Sequence, residues 1–305
     1  MTTSQLDDAT HDLLKQRVGA LHLRQRLGIE RDYEHRIFGQ GRTFFHVENW
    51  YSLRSIIRNS LRLVLLHGRA QRNARRIEVR HNHIRLAGLP DRFDNFTLLQ
   101  LSDLHIDMAE DFSHVLIESV REVDYDLCVL TGDFRGDTYG PYEAALAGMR
   151  QLRSQLQGDV YAVLGNHDTI CMVPALEAMG IRMLLNEQVQ LQRDDQAIYL
   201  AGIDDPHYYR ADNIEKAGDS IPEGAASILL AHSPEIYRHA AHAGFDLMLC
   251  GHTHGGQICL PGGVPIMCNA GCPRDFCRGP WVYQDLQGYT SAGSGACVVD
   301  LRLNC

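Results

Sequence analysis

A chain of 305 residues, 45% hydrophobic and 22% charged, has the make-up of an ordinary soluble globular protein, long enough for one large domain plus an extension. That composition excludes a fibre and a disordered chain. The formal net charge of −9 conceals an asymmetry: between Trp50 and Arg85 nine Arg stand against one acid, Glu78. An acidic body with one basic segment points to a localised anionic partner, such as a membrane surface or nucleic acid.

Met1–Leu23 lacks the basic start, apolar run and small-residue cleavage site of a signal peptide. No window reaches the roughly 18 apolar residues of a membrane-spanning helix. Nine cysteines, an odd number, are expected as reduced thiols in a cytosol. The expectation is a cytoplasmic protein, soluble or peripheral on the inner face of the membrane.

In chain order, Asp12–Leu27 predicts a short helix and Asn49–Arg76 a longer one. On a helical wheel Trp50, Leu53, Ile57, Leu61 and Val64 share one arc, and Arg54, Arg58, Arg62, Arg69, Arg72 and Arg76 a neighbouring one. Such a helix either lies in a membrane interface with its Arg stems snorkelling, or packs on the body with a solvated basic flank. No aromatics interleave Arg69–Arg85 to stack bases, so nucleic acid is not the expected partner. Residues 1–92 thus form an N-terminal helical segment, and 93–305 a second unit.

From Phe96 the pattern changes. Strands are predicted at Phe96–Leu101, Asp126–Leu130, Val160–Leu164, Ala197–Ala201, Ser227–Leu230 and Asp246–Cys250, short apolar runs bounded by turn residues. Between them Ser113 can cap a helix over His114–Val123. Pro141 can open Tyr142–Leu156, and Ser233-Pro234 can start Glu235–Ala243. The alternation predicts an α/β architecture.

Five motifs each follow a predicted strand: Asp103-Leu104-His105, Gly132-Asp133, Gly165-Asn166-His167-Asp168, Ala231-His232 and Gly251-His252-Thr253-His254-Gly255-Gly256. In α/β folds, loops at the carboxyl ends of strands collect ligands, so these side chains should converge on one sheet edge. Singly, Asp-x-His or Gly-Asp is an ordinary loop. The paired imidazoles of His252 and His254, two residues apart on an extended segment, point the same way.

This run of motifs resembles the calcineurin-like metallophosphoesterase superfamily, from Phe96 to the C-terminus. The resemblance implies a four-layer α/β/β/α sandwich with a dinuclear metal site at the strand ends. One metal would be held by Asp103, His105, Asp133 and His254, the second by Asp133, Asn166, His232 and His252. The site would hydrolyse a phosphoester or pyrophosphate bond through a metal-bridging hydroxide. His167 is the expected general acid, with Asp168 fixing its tautomer. The mixed oxygen and nitrogen donors suit Mn, Fe or Zn better than Mg or Ca.

Gly255-Gly256-Gln257, Leu260-Pro261 and the Gly-rich Tyr289–Gly295 are similar to the bacterial membrane-associated branch. Some of its members are UDP-2,3-diacylglucosamine pyrophosphohydrolases of lipid A biosynthesis. The branch's spanning anchor is replaced here by the Arg-flanked helix, and the chain ends at Asn304-Cys305 where the branch continues into Pro-Pro-Glu-Ile. Either a final strand is absent or the chain is truncated. The expected substrate is lipid-linked and held at the membrane, with contact through residues 50–76. A soluble cyclic nucleotide is the alternative, and a non-catalytic scaffold a second class, disfavoured because no ligand is missing. Arg135, His207 and Tyr208 are candidate substrate contacts. Cys259, Cys268, Cys272 and Cys277 either form a structural zinc site or are ordinary thiols.

Overall fold

The structure, a computed structural model, describes residues 7–39, 51–297 and 299–305. Asn49 and Trp50, at the start of the expected basic helix, lie outside them.

Two sheets face each other across an apolar layer. The first has order β1 (Leu98–Leu101), β2 (Leu127–Leu130), β3 (Val160–Ala162) and β4 (Ile181–Met183), all parallel. In the second, β6 (Gln196–Gly202), β7 (Ser227–Leu230), β8 (Leu247–Cys250) and β12 (Leu286–Thr290) run parallel. Antiparallel hairpin partners β5 (Glu187–Arg193) and β11 (Gly279–Tyr283) close its two edges, while β9 (Cys259–Leu260) and β10 (Val264–Pro265) pair as a separate hairpin. Residues such as Val129, Val163, Leu200, Ile228 and Leu249 fill the space between the sheets.

Helices cover both outer faces. α5 (Phe112–Val120), α6 (Glu143–Arg153) and α7 (Val173–Ala178) bury Leu116, Met149 and Leu176 against the first sheet. α8 (Ile214–Gly218) and α9 (Tyr237–His242) bury Ala217, Tyr237 and Ala240 against the second. The expected four-layer α/β/β/α arrangement is therefore present. β2, β7 and β8 read as continuous apolar runs because both their faces are covered.

The expected strands omit β4, β5, β9, β10, β11 and β12. β4 is three residues with Arg182 exposed at its centre, and β5 alternates polar side chains along an edge. Neither presents the apolar run by which buried strands are recognised. α5 starts at Phe112 rather than after Ser113, whose hydroxyl donates to Gln151 Oε1 (3.1 Å) instead of capping. Ser233 does cap, accepting from the Glu235 N–H.

The N-terminal segment is helical but divided differently. α1 (Asp8–Val18) is capped by Asp7, whose Oδ1 accepts from Thr10 N at 2.7 Å, and α2 (Ala20–Gly39) follows it directly. Leu14, Val18 and Leu23 join the main core. The expected helix over Asn49–Arg76 is two helices, α3 (Tyr51–Leu63) and α4 (His67–Ala74). The break is a Schellman closure: Leu66 N–H reaches back to Leu61 O (2.9 Å) and Leu65 N–H to Arg62 O (3.1 Å), with Leu65 left-handed at φ 59°. Leu65 occupies the position usually given to Gly, so no sequence signal marked the stop. Leu66 and Leu61 then pack with Ile57, Ala70, Ile258, Val299, Leu301 and Leu303.

Candidate metal centre

All five motifs leave the carboxyl ends of β1, β2, β3, β7 and β8, and their side chains meet between the two sheets. Asp103, His105, Asp133, Asn166, His232, His252 and His254 are all buried. Ligand atoms of Asp103, His105, Asp133 and His254 lie within 4.8 Å of one another, as do those of Asp133, His232 and His252. Asp133 belongs to both groups. Its Oδ2 faces His232 Nε2 at 3.3 Å and His105 Nε2 at 3.7 Å, while its Oδ1 accepts from His167 N–H at 2.8 Å. Asn166 Oδ1 lies 3.0 Å from His232 Nε2, and His254 Nε2 lies 3.3 Å from Asp103 Oδ1.

Hydrogen placement shows what these groups await. His105 Nδ1–H donates to Arg135 O (2.8 Å), His232 Nδ1–H to Thr131 O (2.8 Å) and His252 Nε2–H to Asn269 O (2.6 Å). Each inward nitrogen then carries a lone pair. His252 Nδ1 sits 3.3 Å from His232 Nε2, beside Asn166 Oδ1 and Asp133 Oδ2. These groups converge and repel one another unless a proton or a cation lies among them, and carbonyl-oriented imidazoles are the usual way of aiming metal ligands. The donor set fits divalent metal.

The electrostatics agree. Burial pushes Asp103 above the usual carboxylate range, reinforced by Asp133. Burial acts the same way on Asp133, but the imidazoles of His232, His167 and His105 overcome it and hold that carboxyl well below the range. Burial disfavours charge on His232 too, yet Asp133 and Asp103 push it up to about 10. A field that favours a proton there favours a metal cation equally. Burial, then neighbouring imidazoles and the Arg302 guanidinium, keep His252 and His254 neutral.

The backbone is bent to achieve this. Asp103, His105, Asp133, His252 and His254 all have φ between 41° and 70°. L-residues in that region cost about 1–2 kcal/mol each, a strain typical of functional sites. Hydrogen bonds over-determine it: Asp103 accepts from His252 N–H (3.0 Å) and Ser102 Oγ (2.6 Å). Two glycines let the loops close. A Cβ at Gly165 would collide with the Asp133 carboxylate, and one at Gly251 with Asp103.

Three expectations are corrected. Asp168 does not hold the His167 ring. Its carboxylate accepts from the N–H groups of Asp133 (2.8 Å), Phe134 (2.9 Å) and Gly165 (2.9 Å), tying the β2 and β3 loops together. His167 Nδ1 instead pairs with Thr138 Oγ1 at 3.3 Å. Arg135 is taken up by the carbonyls of His167, Gly140 and Thr138, so it braces the loop rather than reaching for phosphate. Tyr208 is buried, its hydroxyl 2.6 Å from that of Tyr139 and its ring against Tyr33 and Tyr209. His207 lies against His252 with ring centroids 4.1 Å apart and planes tilted by 45°, and places Nδ1 2.8 Å from Glu235 Oε2, supporting a candidate ligand from behind.

Sequence reasoning missed the residues that arrive by tertiary contact. Asn269 carries the carbonyl that orients His252. Cys297 Sγ lies 3.5 Å from His167 Nε2. Arg302 binds the carbonyls of Ala292, Gly293 and Gly295 and comes within 3.5 Å of His254 Nδ1. The N-terminal helix α2 also supports the site. Arg26 donates to Asp168 O (2.9 Å), and Glu30 accepts from Thr169 Oγ1 (2.6 Å) and Ile170 N–H (2.9 Å). Of the four late cysteines, the Cys277 thiol touches those of Cys268 and Cys272. Among the described residues they do not form a group of ligand atoms as tight as those around Asp133.

A two-sheet sandwich with buried Asp, Asn and His donors at its strand ends defines a metal-dependent hydrolase. The chain belongs to the calcineurin-like phosphoesterase family, whose model matches residues 96–256. It is 29% identical over 246 residues to the uncharacterized metallophosphoesterase YkoQ of Bacillus subtilis (strain 168), covering 77% of this chain and 89% of that one. It is 31% identical over 202 residues to YkuE of the same strain, also an uncharacterized metallophosphoesterase, covering 63% and 69%. To the phosphodiesterase YaeI of Escherichia coli (strain K12) it is 26% identical over 243 residues, covering 74% and 84%. It is thus a hydrolase of phosphate esters, in a family that uses divalent metals.

Proposed function

We propose that the protein hydrolyses a phosphodiester or pyrophosphate bond in an acylated, membrane-borne substrate, with UDP-2,3-diacylglucosamine the leading specific candidate. The observation that carries this reading is the continuity of the metal centre with an apolar cavity of about 380 Å³. Asp133, Asn166, His167, His252 and His254 line one side of it; Ile57, Leu61, Ile258, Ile266, Met267 and Val299 line the rest. A phosphate at the centre would have its apolar substituent against those walls.

Two divalent cations of the Mn, Fe or Zn kind, held by Asp103, His105, Asp133 and His254 and by Asp133, Asn166, His232 and His252, would supply Lewis acidity and a water acidic enough to serve as nucleophile near neutral pH. His167 lines the cavity, its Nδ1 3.3 Å from Thr138 Oγ1 and its Nε2 3.5 Å from Cys297 Sγ, and would hold the proton for the leaving oxygen. Arg135 and Asp168 keep that loop in place. The description of the relative YaeI as a phosphodiesterase supports the ester class.

Membrane contact is supported by the roof of the cavity. Leu63 and Leu65 are 85% and 90% exposed, Val64 is exposed between them, and exposed Arg58, Arg62 and Arg69 flank them. Ile266 and Met267, at the cavity, are exposed too. Apolar tips beside basic side chains suit the interface of an anionic bilayer. Among the described residues no helix is long and apolar enough to cross a membrane. In this reading 93–305 is the catalytic unit, and 1–92 braces the metal centre and roofs the cavity.

The test is turnover by the Mn-loaded full chain on UDP-2,3-diacylglucosamine in anionic vesicles, on bis(p-nitrophenyl) phosphate and on a cyclic nucleotide. Vesicle-stimulated cleavage of the lipid is expected. Turnover confined to the cyclic nucleotide and indifferent to vesicles would overturn the lipid reading.

A further inference from the structure

Cys297 lies on the segment after β12, which packs back over the metal centre. It is buried, lines the cavity and belongs to no motif that marks the family. Its Sγ and ring nitrogens of His105 and His254 lie within 4.8 Å of one another, all three residues buried. Its backbone is clamped at both ends by one side chain: Cys297 N–H donates to Gln257 Oε1 (2.9 Å), and Gln257 Nε2 donates to Cys297 O (2.7 Å). The same Nε2 donates to Val299 O at 2.9 Å. Gln257 stands three residues after His254, beyond Gly255-Gly256, so the loop that carries two candidate ligands also sets the thiol's position.

We propose that Cys297 supplies a thiolate ligand to the metal position framed by His105 and His254, making that position selective for a soft or borderline divalent cation such as zinc. The proposal rests on the metal-centre reading above and adds to it a donor that the motifs do not contain. Carboxylate and imidazole alone bind Zn more tightly than Mn but do not exclude Mn where it is the more available ion. One thiolate shifts the preference, because thiolates favour Zn over the hard cations. On loading, the S–H bond of Cys297 is replaced by an S–metal bond and the proton leaves to solvent; no electron is transferred. Sequence spacing could not have shown this, because Cys297 is far along the chain from both imidazoles and reaches them through Gln257.

Cobalt(II) substitution of the full chain reads the ligands without turnover. The expected spectrum has d–d bands in the visible and a sulfur-to-cobalt charge-transfer band in the near-ultraviolet. That band is lost in Cys297→Ser and kept in Cys277→Ser. X-ray absorption of the zinc-loaded wild type provides a check independent of any variant's folding, with a sulfur shell at about 2.3 Å expected. Cobalt d–d bands without a charge-transfer band, a charge-transfer band that survives Cys297→Ser, or a zinc shell of oxygen and nitrogen alone would overturn the thiolate ligand while leaving the metal centre intact. Failure to bind cobalt or zinc at all would overturn the centre itself.

Discussion

The metal centre and the roof above its cavity both contain left-handed non-glycine residues, and they hold them in opposite ways. At the centre five candidate ligands have positive φ, yet each is buried and locked by hydrogen bonds from a neighbouring loop. In the roof Leu65 has φ 59°, is 90% exposed, and is held by the two backbone bonds that end α3. Strain at the centre is over-determined by its surroundings and serves to aim lone pairs. Strain in the roof turns an apolar side chain outward, where it is 90% exposed among the described residues. The candidate ligands are thus fixed in the sandwich, and under the proposed function substrate selection falls to the exposed edge of the roof.

The largest effects should come from the centre. Asp133→Asn removes the carboxylate shared by both ligand groups, and hydrolysis should fall to background, with the metal content of the purified protein falling in parallel. Full metal occupancy with retained turnover would break the assignment of Asp133. His167→Ala should cost about 10²–10⁴-fold in kcat, as general-acid loss does, with metal content unchanged. The loss should shrink for an aryl ester whose leaving group needs no proton. An equal loss for good and poor leaving groups would move His167 from proton transfer to positioning.

The contrast also explains which parts were legible in the sequence. Buried strands such as β2, β7 and β8 announce themselves as apolar runs, and each ligand follows its strand by two to four residues. The exposed edge strands β4, β5 and β11 carry no such run. Asp168 was misread because proximity in sequence suggested a pair with His167, whereas the turn aims its carboxylate at three N–H groups of the loops. Arg135 does not reach for substrate, since its guanidinium turns inward onto carbonyls, but its own carbonyl accepts from His105 Nδ1–H behind a candidate ligand. Asn269, Cys297 and Arg302 reach the centre only through tertiary folding. The stop of α3 at Leu65 had neither Gly nor Pro to mark it.

A third prediction tests how firmly α2 is part of the rigid region. Arg26 Nε lies 3.3 Å from both oxygens of Asp204, and His22 Nε2 lies 2.9 Å from one of them. Burial alone would raise the pKa of Asp204, but Arg26 and His22 overcome it and hold the carboxyl below its ordinary range. A carboxylate depressed in the folded state stabilises the fold above its unfolded value of about 3.9, and this is lost as pH falls through the lower folded value. Asp204→Asn should therefore destabilise by up to about 3 kcal/mol at pH 7, the scale of breaking a buried ion pair. The difference from wild type should shrink in denaturant titrations taken progressively below pH 4. A constant difference down to pH 2 would show that Asp204 acts through packing alone.

The smallest effect on the folded protein is the one that tests the roof most sharply. Leu65→Gly relieves a left-handed conformation that costs an L-residue about 1–2 kcal/mol, against a loss of about 0.5–1 kcal/mol from greater chain freedom on unfolding. Stability should rise by up to about 1 kcal/mol, because a side chain this exposed contributes almost nothing to the core. Binding to anionic vesicles should move the other way, since removing a leucine takes away about 1.5–3 kcal/mol of apolar transfer if the side chain enters the bilayer. A residue kept for folding would not show opposite signs in the two measurements. If Leu65→Gly leaves vesicle binding unchanged while stabilising the chain, the roof's exposed apolar edge meets something other than a lipid surface.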